Sequence, residues 1–148
     1  MFVQIVLGSA LMLVSIFVAG ISFWFMEVAL ARWRGWLRRE PHRPKLIFIL
    51  CVSGVWIIGQ VTIGVWVWAF AFILLDIFAT LEEAVYFALV AFTTLGFGDI
   101  LLPMEWRLLG GMAAANGLLN FGLLTAVIVE ALRQVRRTQL DAIEKAET

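Results

Sequence analysis

Thr93-Thr94-Leu95-Gly96-Phe97-Gly98-Asp99 is the stretch of this chain whose residue types could do chemistry. Two glycines flank an aromatic residue, and an acid follows at once. Gly96 and Gly98 can take backbone angles closed to other residues, so successive carbonyls can point the same way. A row of carbonyls can replace water around a cation. The chemistry on offer is coordination of a dehydrated cation by backbone oxygen, which needs no catalytic residue. Nothing else resembles a phosphate-binding loop, a nucleophile with its base, or a basic nucleic-acid surface. No enzymatic activity, no nucleic-acid partner and no cofactor are expected. Cys51 is the one cysteine, so no intrachain disulfide can form, and one Cys with one His makes a structural zinc site unexpected.

The elements that must position this stretch are membrane helices. The chain has 148 residues, 63% of them hydrophobic, and a formal net charge of zero. Its mean hydropathy is +0.98. A soluble domain of this length could not bury so much apolar surface, so an integral membrane protein is expected. Phe2–Met26 and Leu46–Leu75 carry no charge, and each exceeds the roughly 20 residues needed to cross a bilayer. The N-terminal run lacks a positively charged start and is too long for a signal-peptide core, so it reads as a retained helix over about Phe2–Ala31. Glu40-Pro41-His42-Arg43-Pro44 should break the chain before a second helix over about Lys45–Leu75, stopping near Asp76. Trp66 and Trp68 should lie near the outer interface, and Trp56 could face lipid.

Six of the eleven basic residues, Arg32, Arg34, Arg38, Arg39, Arg43 and Lys45, sit between these two helices. The positive-inside rule makes this loop cytoplasmic and puts the N-terminus outside. Thr80 and Glu83 form a capping box for a short apolar helix ending near Thr93, and Glu82 also favours a helix start. About twelve helical residues reach only ~18 Å, too short to span. A short apolar helix followed by a glycine-rich turn suggests a re-entrant loop, which survives at membrane depth only when buried in protein or lining a watery cavity. A third helix should run from about Glu105 to Gln139, with Arg133, Arg136 and Arg137 on the cytoplasmic side.

The stretch resembles the selectivity filter of the potassium channel family, whose pattern is Thr-x-Gly-Tyr/Phe-Gly-Asp. The likeness covers about residues 46–137 and is closest to small bacterial pore-only channels and to the pore units of two-pore-domain channels. It implies an all-α membrane protein: three transmembrane helices plus one re-entrant pore helix and filter per subunit, in a tetrameric pore. By that resemblance Thr94, Leu95, Gly96, Phe97 and Gly98 fill the five filter positions, and K⁺ is held at Thr94, Leu95, Gly96 and Phe97. Thr93, Asp99 and Tyr86 become filter support. Tyr86 stands where many members carry a tryptophan that bonds the acid after the filter, so Tyr86–Asp99 is the expected brace. Phe97 replaces the commoner tyrosine and lacks its bracing hydroxyl, and Val90 stands where some members carry a glutamate. The extra first helix falls outside the common two-helix pore. The expected division is 1–44 for the added helix and basic loop, 45–139 for the pore domain, and 140–148 for a short cytoplasmic tail.

The remaining polar residues are open to two interpretations. Asn116 and Asn120 share a helix face; they could line a watery cavity or act as hydrogen-bond glue between helices. Gly117 lies where the resemblance places a gating hinge, and it could equally permit close packing. Glu130 could form an acidic ring at the pore mouth or pair with Arg133 or Arg137. Glu27 could sense protons or pair with Arg32 or Arg34. Gln60 is expected as helix glue and His42 as a solvated side chain. The expected function is a homotetrameric channel in a lipid bilayer passing potassium ions, placed in a bacterial inner membrane by small size. A weakly selective cation channel, a non-conducting sensor or assembly protein, and a transporter subunit working with a separate ATPase are the alternatives.

Overall fold

A computed structural model of the chain describes residues 1–37 and 42–147. Arg38, Arg39, Glu40, Pro41 and Thr148 lie outside the described residues, as do the side chains of Arg34, His42 and Arg43. All regular structure among the described residues is helical: α1 (Phe2–Leu37), α2 (His42–Leu74), α3 (Leu81–Phe92) and α4 (Arg107–Glu147), the last entered through a 3₁₀ turn at Met104–Trp106. Phe2–Trp33, Ile47–Leu74 and Met104–Arg137 are each long and apolar enough to cross a membrane. The protein is an integral membrane protein.

The helices run further than the breaker residues suggest. α1 continues past Ala31 to Leu37, and α2 already begins at His42. Pro44 falls in the first turn of α2, where its missing N–H would have had no intrahelical partner. α4 passes Gln139 without interruption and reaches Glu147, so no break separates the expected pore domain from a tail. α2 ends at Leu74, and the chain turns near the expected stop at Asp76, which takes φ 52°. Asp tolerates this left-handed geometry better than most residues and closes the helix in the manner of an αL cap. The Ile77 N–H then reaches back to the Phe72 carbonyl at 3.0 Å.

Contacts divide the chain into two units, residues 1–19 with 59–122 and residues 20–58 with 123–148. The core of the first joins four helices. Val65, Trp68, Ala69 and Phe72 of α2, Ala84, Ala88 and Phe92 of α3, and Leu109 and Ala113 of α4 are buried together with Leu102. Leu7, Leu11 and Met12 of α1 pack against them. Trp68 is therefore a core residue, fully buried beside Phe72 at a ring separation of 5.9 Å, and not an interfacial one. Trp66, two positions earlier and on another face of the helix, is 36% exposed. In the second unit Ile49 and Val135 are buried against Leu30 and Leu132. There the Trp56 indole N–H donates to the Ser22 hydroxyl at 2.8 Å, so Trp56 joins α2 to α1 rather than facing lipid alone.

Gly117 is where α4 meets the end of α3. A Cβ on this residue would collide with the carbonyl oxygen of Phe92, a backbone atom that cannot swing aside. Close packing thus accounts for the glycine without a hinge. Gly117→Ala is expected to lower stability by about 1–3 kcal/mol, the range for overpacking. Gly20→Ala, with nothing within 4 Å of its added methyl, should stay within about 0.5 kcal/mol of the parent. Thermal unfolding in mild detergent, followed by helical circular dichroism, compares the two.

Candidate functional site

The site is built on α3. Thr80 precedes it with extended backbone (φ −122°, ψ 147°), and its hydroxyl accepts from the Glu83 N–H at 3.3 Å. Glu82 and Glu83 occupy the first turn, where carboxylates complement the helix dipole. The helix ends at Phe92, so its partially negative end adjoins Thr93 and Thr94.

From there the N–H groups turn back onto the helix. Thr93 N–H donates to the Leu89 carbonyl at 3.0 Å and Thr94 N–H to that of Ala91 at 2.9 Å. The Val90 carbonyl accepts from both Leu95 N–H at 3.0 Å and Gly96 N–H at 3.3 Å. Thr93 also turns its hydroxyl back, donating to the Leu89 carbonyl at 2.8 Å. The donors of this segment are thus spent on α3.

Thr94, Gly96 and Gly98 take φ of 60°, 58° and 77°. Every second residue is left-handed. In extended chain successive carbonyls alternate sides; placing every second residue in this region is the pattern that lets them face one side. For the glycines the conformation carries no steric penalty. For Thr94, β-branched, it is an outlier costing on the order of 1–3 kcal/mol, a kind of strain that clusters at ligand-holding sites. Residues 94–99 are all exposed in the single subunit, Leu95 at 58% and Phe97 at 66%.

Beyond the glycines, the Tyr86 hydroxyl donates to Asp99 Oδ2 at 2.5 Å, and the Ile100 N–H donates to Asp99 Oδ1 at 3.0 Å. Both side chains lie outside the three spans. The Tyr86 hydroxyl holds the Asp99 carboxyl below the usual carboxylate range, against a smaller opposing effect of desolvation. The same bond raises the Tyr86 phenol.

The other sequence candidates fall elsewhere. Asn116 and Asn120 do share a face, but that face turns into the subunit. Asn116 is fully buried and Asn120 nearly so. Asn120 Nδ2 donates to the Ser15 hydroxyl of α1 at 3.3 Å and to the Asn116 side-chain and main-chain oxygens at 3.0 and 2.9 Å. These are hydrogen bonds of the interhelical kind. Gln60 lines a small crevice with Ser15 and Asn120. Val90 is buried behind the glycine segment, to which it lends its carbonyl. Glu130 lies 3.9 Å from Arg133, both well exposed, so the pair contributes little. Glu27 is exposed on α1.

Gln4 is a residue that pattern alone did not single out. Its side-chain oxygen accepts from the Leu109 N–H at 3.3 Å, supplying a partner for one of the orphan donors at the start of α4. Its signal was a lone amide in an uncharged span, which needs a partner in lipid.

A family model described as an ion channel matches residues 60–134, just over half of the chain, from within α2 to within α4. No curated protein and no solved structure matches.

Tyr86→Phe removes the largest cause of the low Asp99 pKa. A depressed carboxylate pKa means the ionised, hydrogen-bonded form persists in acid and is lost as pH falls through the lowered value. The variant should therefore protonate Asp99 at higher pH than the parent. Titration of ¹³C-labelled aspartate by NMR checks this; coincident Asp99 curves would mean that the bond does not hold the carboxylate.

Proposed function

Because the chain belongs to the ion channel family, we propose that it forms a potassium-selective channel in which four copies surround one axis. The observation that carries this reading is the alternation of left-handed residues at Thr94, Gly96 and Gly98. Four such segments would line a narrow path with carbonyls that replace the hydration shell of K⁺ at Thr94, Leu95, Gly96 and Phe97. The Thr94 hydroxyl would add a ligand at the end nearest α3. Helix α3 acts as a re-entrant pore helix, and its negative end favours a cation beside it. One copy supplies one quarter of the path and leaves residues 94–99 exposed, a state that lipid cannot satisfy.

α4 is the helix nearest the axis in this reading. The face it leaves exposed carries Gly111, Ala115, Leu118, Gly122 and Thr125 at alternating spacings of four and three. This apolar and largely small-residue face, opposite Asn116 and Asn120, suits contact with neighbouring helices or a central cavity. The orientation follows the basic residues: Met1 outside, with Arg32–Lys45 and Arg133–Arg137 on the cytoplasmic side.

A weakly selective cation channel is the second reading. Phe97 has no hydroxyl to brace the segment from behind, and Tyr86–Asp99 is the brace in its place. Purified protein in vesicles separates the two. Reversal potentials under mixed K⁺ and Na⁺ should show strong preference for K⁺. Gly96→Ala, which puts a methyl on a residue at φ 58°, should lose that preference, while Asp99→Asn, beyond the carbonyl row, should keep part of it. Equal permeability in the parent would establish the weakly selective channel. Mass measurement in mild detergent should give four copies; a stable monomer would exclude the pore.

A further inference from the structure

In the unit formed by residues 20–58 and 123–148, α1 and α2 leave a groove of about 320 Å³ between them. This is at the lower end of the ~300–1,000 Å³ typical of small-molecule sites. Phe25, Met26 and Ala29 of α1 face Phe48 and Val52 of α2 across it. One end is closed by the hydrogen bond from the Trp56 indole to Ser22. At the other end Trp33 and Phe48 stand with ring centroids 6.4 Å apart. Eight residues separate Phe48 from Trp56, so the groove runs for ~12 Å along the helix axis. It is long, thin and apolar.

Charge is placed at one end only. Arg32 is exposed directly beside Trp33. Lys45, three and four residues before Phe48 and Ile49 on the same face of α2, is buried and already has a partner within the protein, so Arg32 is the cation on which a contact at this end rests. Arg34, Arg38, Arg39 and Arg43 add to the basic character of this stretch of sequence. Glu27 does not line the groove. The walls belong mostly to Phe2–Trp33 and Ile47–Leu74, the membrane-crossing segments, so hydrocarbon and not water surrounds the mouth. The occupant that fits is a thin apolar chain that ends in negative charge at the level of Arg32. We propose that the groove is a binding site for an anionic phospholipid, with one acyl chain between α1 and α2 and the headgroup against Arg32. This site is independent of ion selectivity and does not involve residues 93–99.

Native mass spectrometry of the purified full chain in mild detergent tests it, with dioleoylphosphatidylglycerol and dioleoylphosphatidylcholine as probes. The parent should retain one phosphatidylglycerol per subunit, favoured over phosphatidylcholine about fivefold or more, the order of effect of one cation at a membrane surface. Ala29→Trp should lose that lipid by filling the groove from α1. Val52→Trp fills it from α2 and decides the matter if Ala29→Trp loses helicity. Arg32→Gln, at an exposed position, should keep the lipid and lose most of the headgroup preference. Three results would overturn the proposal: no lipid retained by the parent, as when a neighbouring copy occupies the groove; undiminished retention in the filled variants; or equal retention of the two lipids by the parent.

Discussion

An unpaired peptide group is what a bilayer interior tolerates least, at several kcal/mol each, and the N–H groups of residues 93–96 are all paired. The Val90 carbonyl takes two N–H groups, those of Leu95 and Gly96, while Leu89 and Ala91 take those of Thr93 and Thr94. With the N–H groups of Thr93 to Gly96 committed to α3, the carbonyls are the groups this stretch would offer to the cation proposed for it. The same bonds help hold Thr94 at φ 60°, where a β-branched residue would not stay unaided. A site of this kind is only as stiff as the end of α3. That end is fixed by Phe92, buried in the core, with its carbonyl set against Gly117 of α4. The brace from Tyr86 to Asp99 anchors the other end of the segment to the same helix.

α4 is in turn tied to α1. Gln4 meets Leu109, Gly8 meets Met112 and Ser15 meets Asn120. Polar bonds between membrane helices are worth about 0.6 kcal/mol on average, so these bonds set register more than they add stability. Asn116, buried beside Asn120 and bonded to it, belongs to the same network. Displacing α4 along its axis would require α1 to follow or these pairs to break.

Most of the framework was legible in the sequence because bilayer physics restricts it. Uncharged runs of the right length become helices, Thr80 caps α3, and Asp76 closes α2. Tyr86 could be matched to Asp99 because it stands where many members of the resembling family carry a tryptophan that bonds the acid after the motif. What stayed hidden was direction. Asn116 and Asn120 were known to share a face, but only the position of α1 decides whether that face meets water or Ser15. Trp68 looked interfacial by residue type and is core by rotation about α2. The strain at Thr94 could not be read from residue type, since threonine ordinarily avoids positive φ and nothing local forces it there. Pro44 sits within the first turn of α2, where it costs no intrahelical hydrogen bond, so that helix starts a few residues earlier than the proline implies.

The contacts between α1 and α4 also bear on the course of the chain between the spans. The paired residues rise together, from 4 with 109, through 8 with 112, to 15 with 120, so the two helices run parallel. α1 and α2 are joined by residues 38–41, too few to carry the chain back across a bilayer, so as successive spans they run in opposite directions. A span parallel to the first and preceded by one antiparallel to it must start on the side where α2 ends. The re-entrant course proposed for residues 75–103, with α3 and the glycine segment, is the one that fits these directions. A helix with Ala84, Ala88 and Phe92 buried against α2 and α4 packs among the spans rather than across their ends, as the proposed course requires.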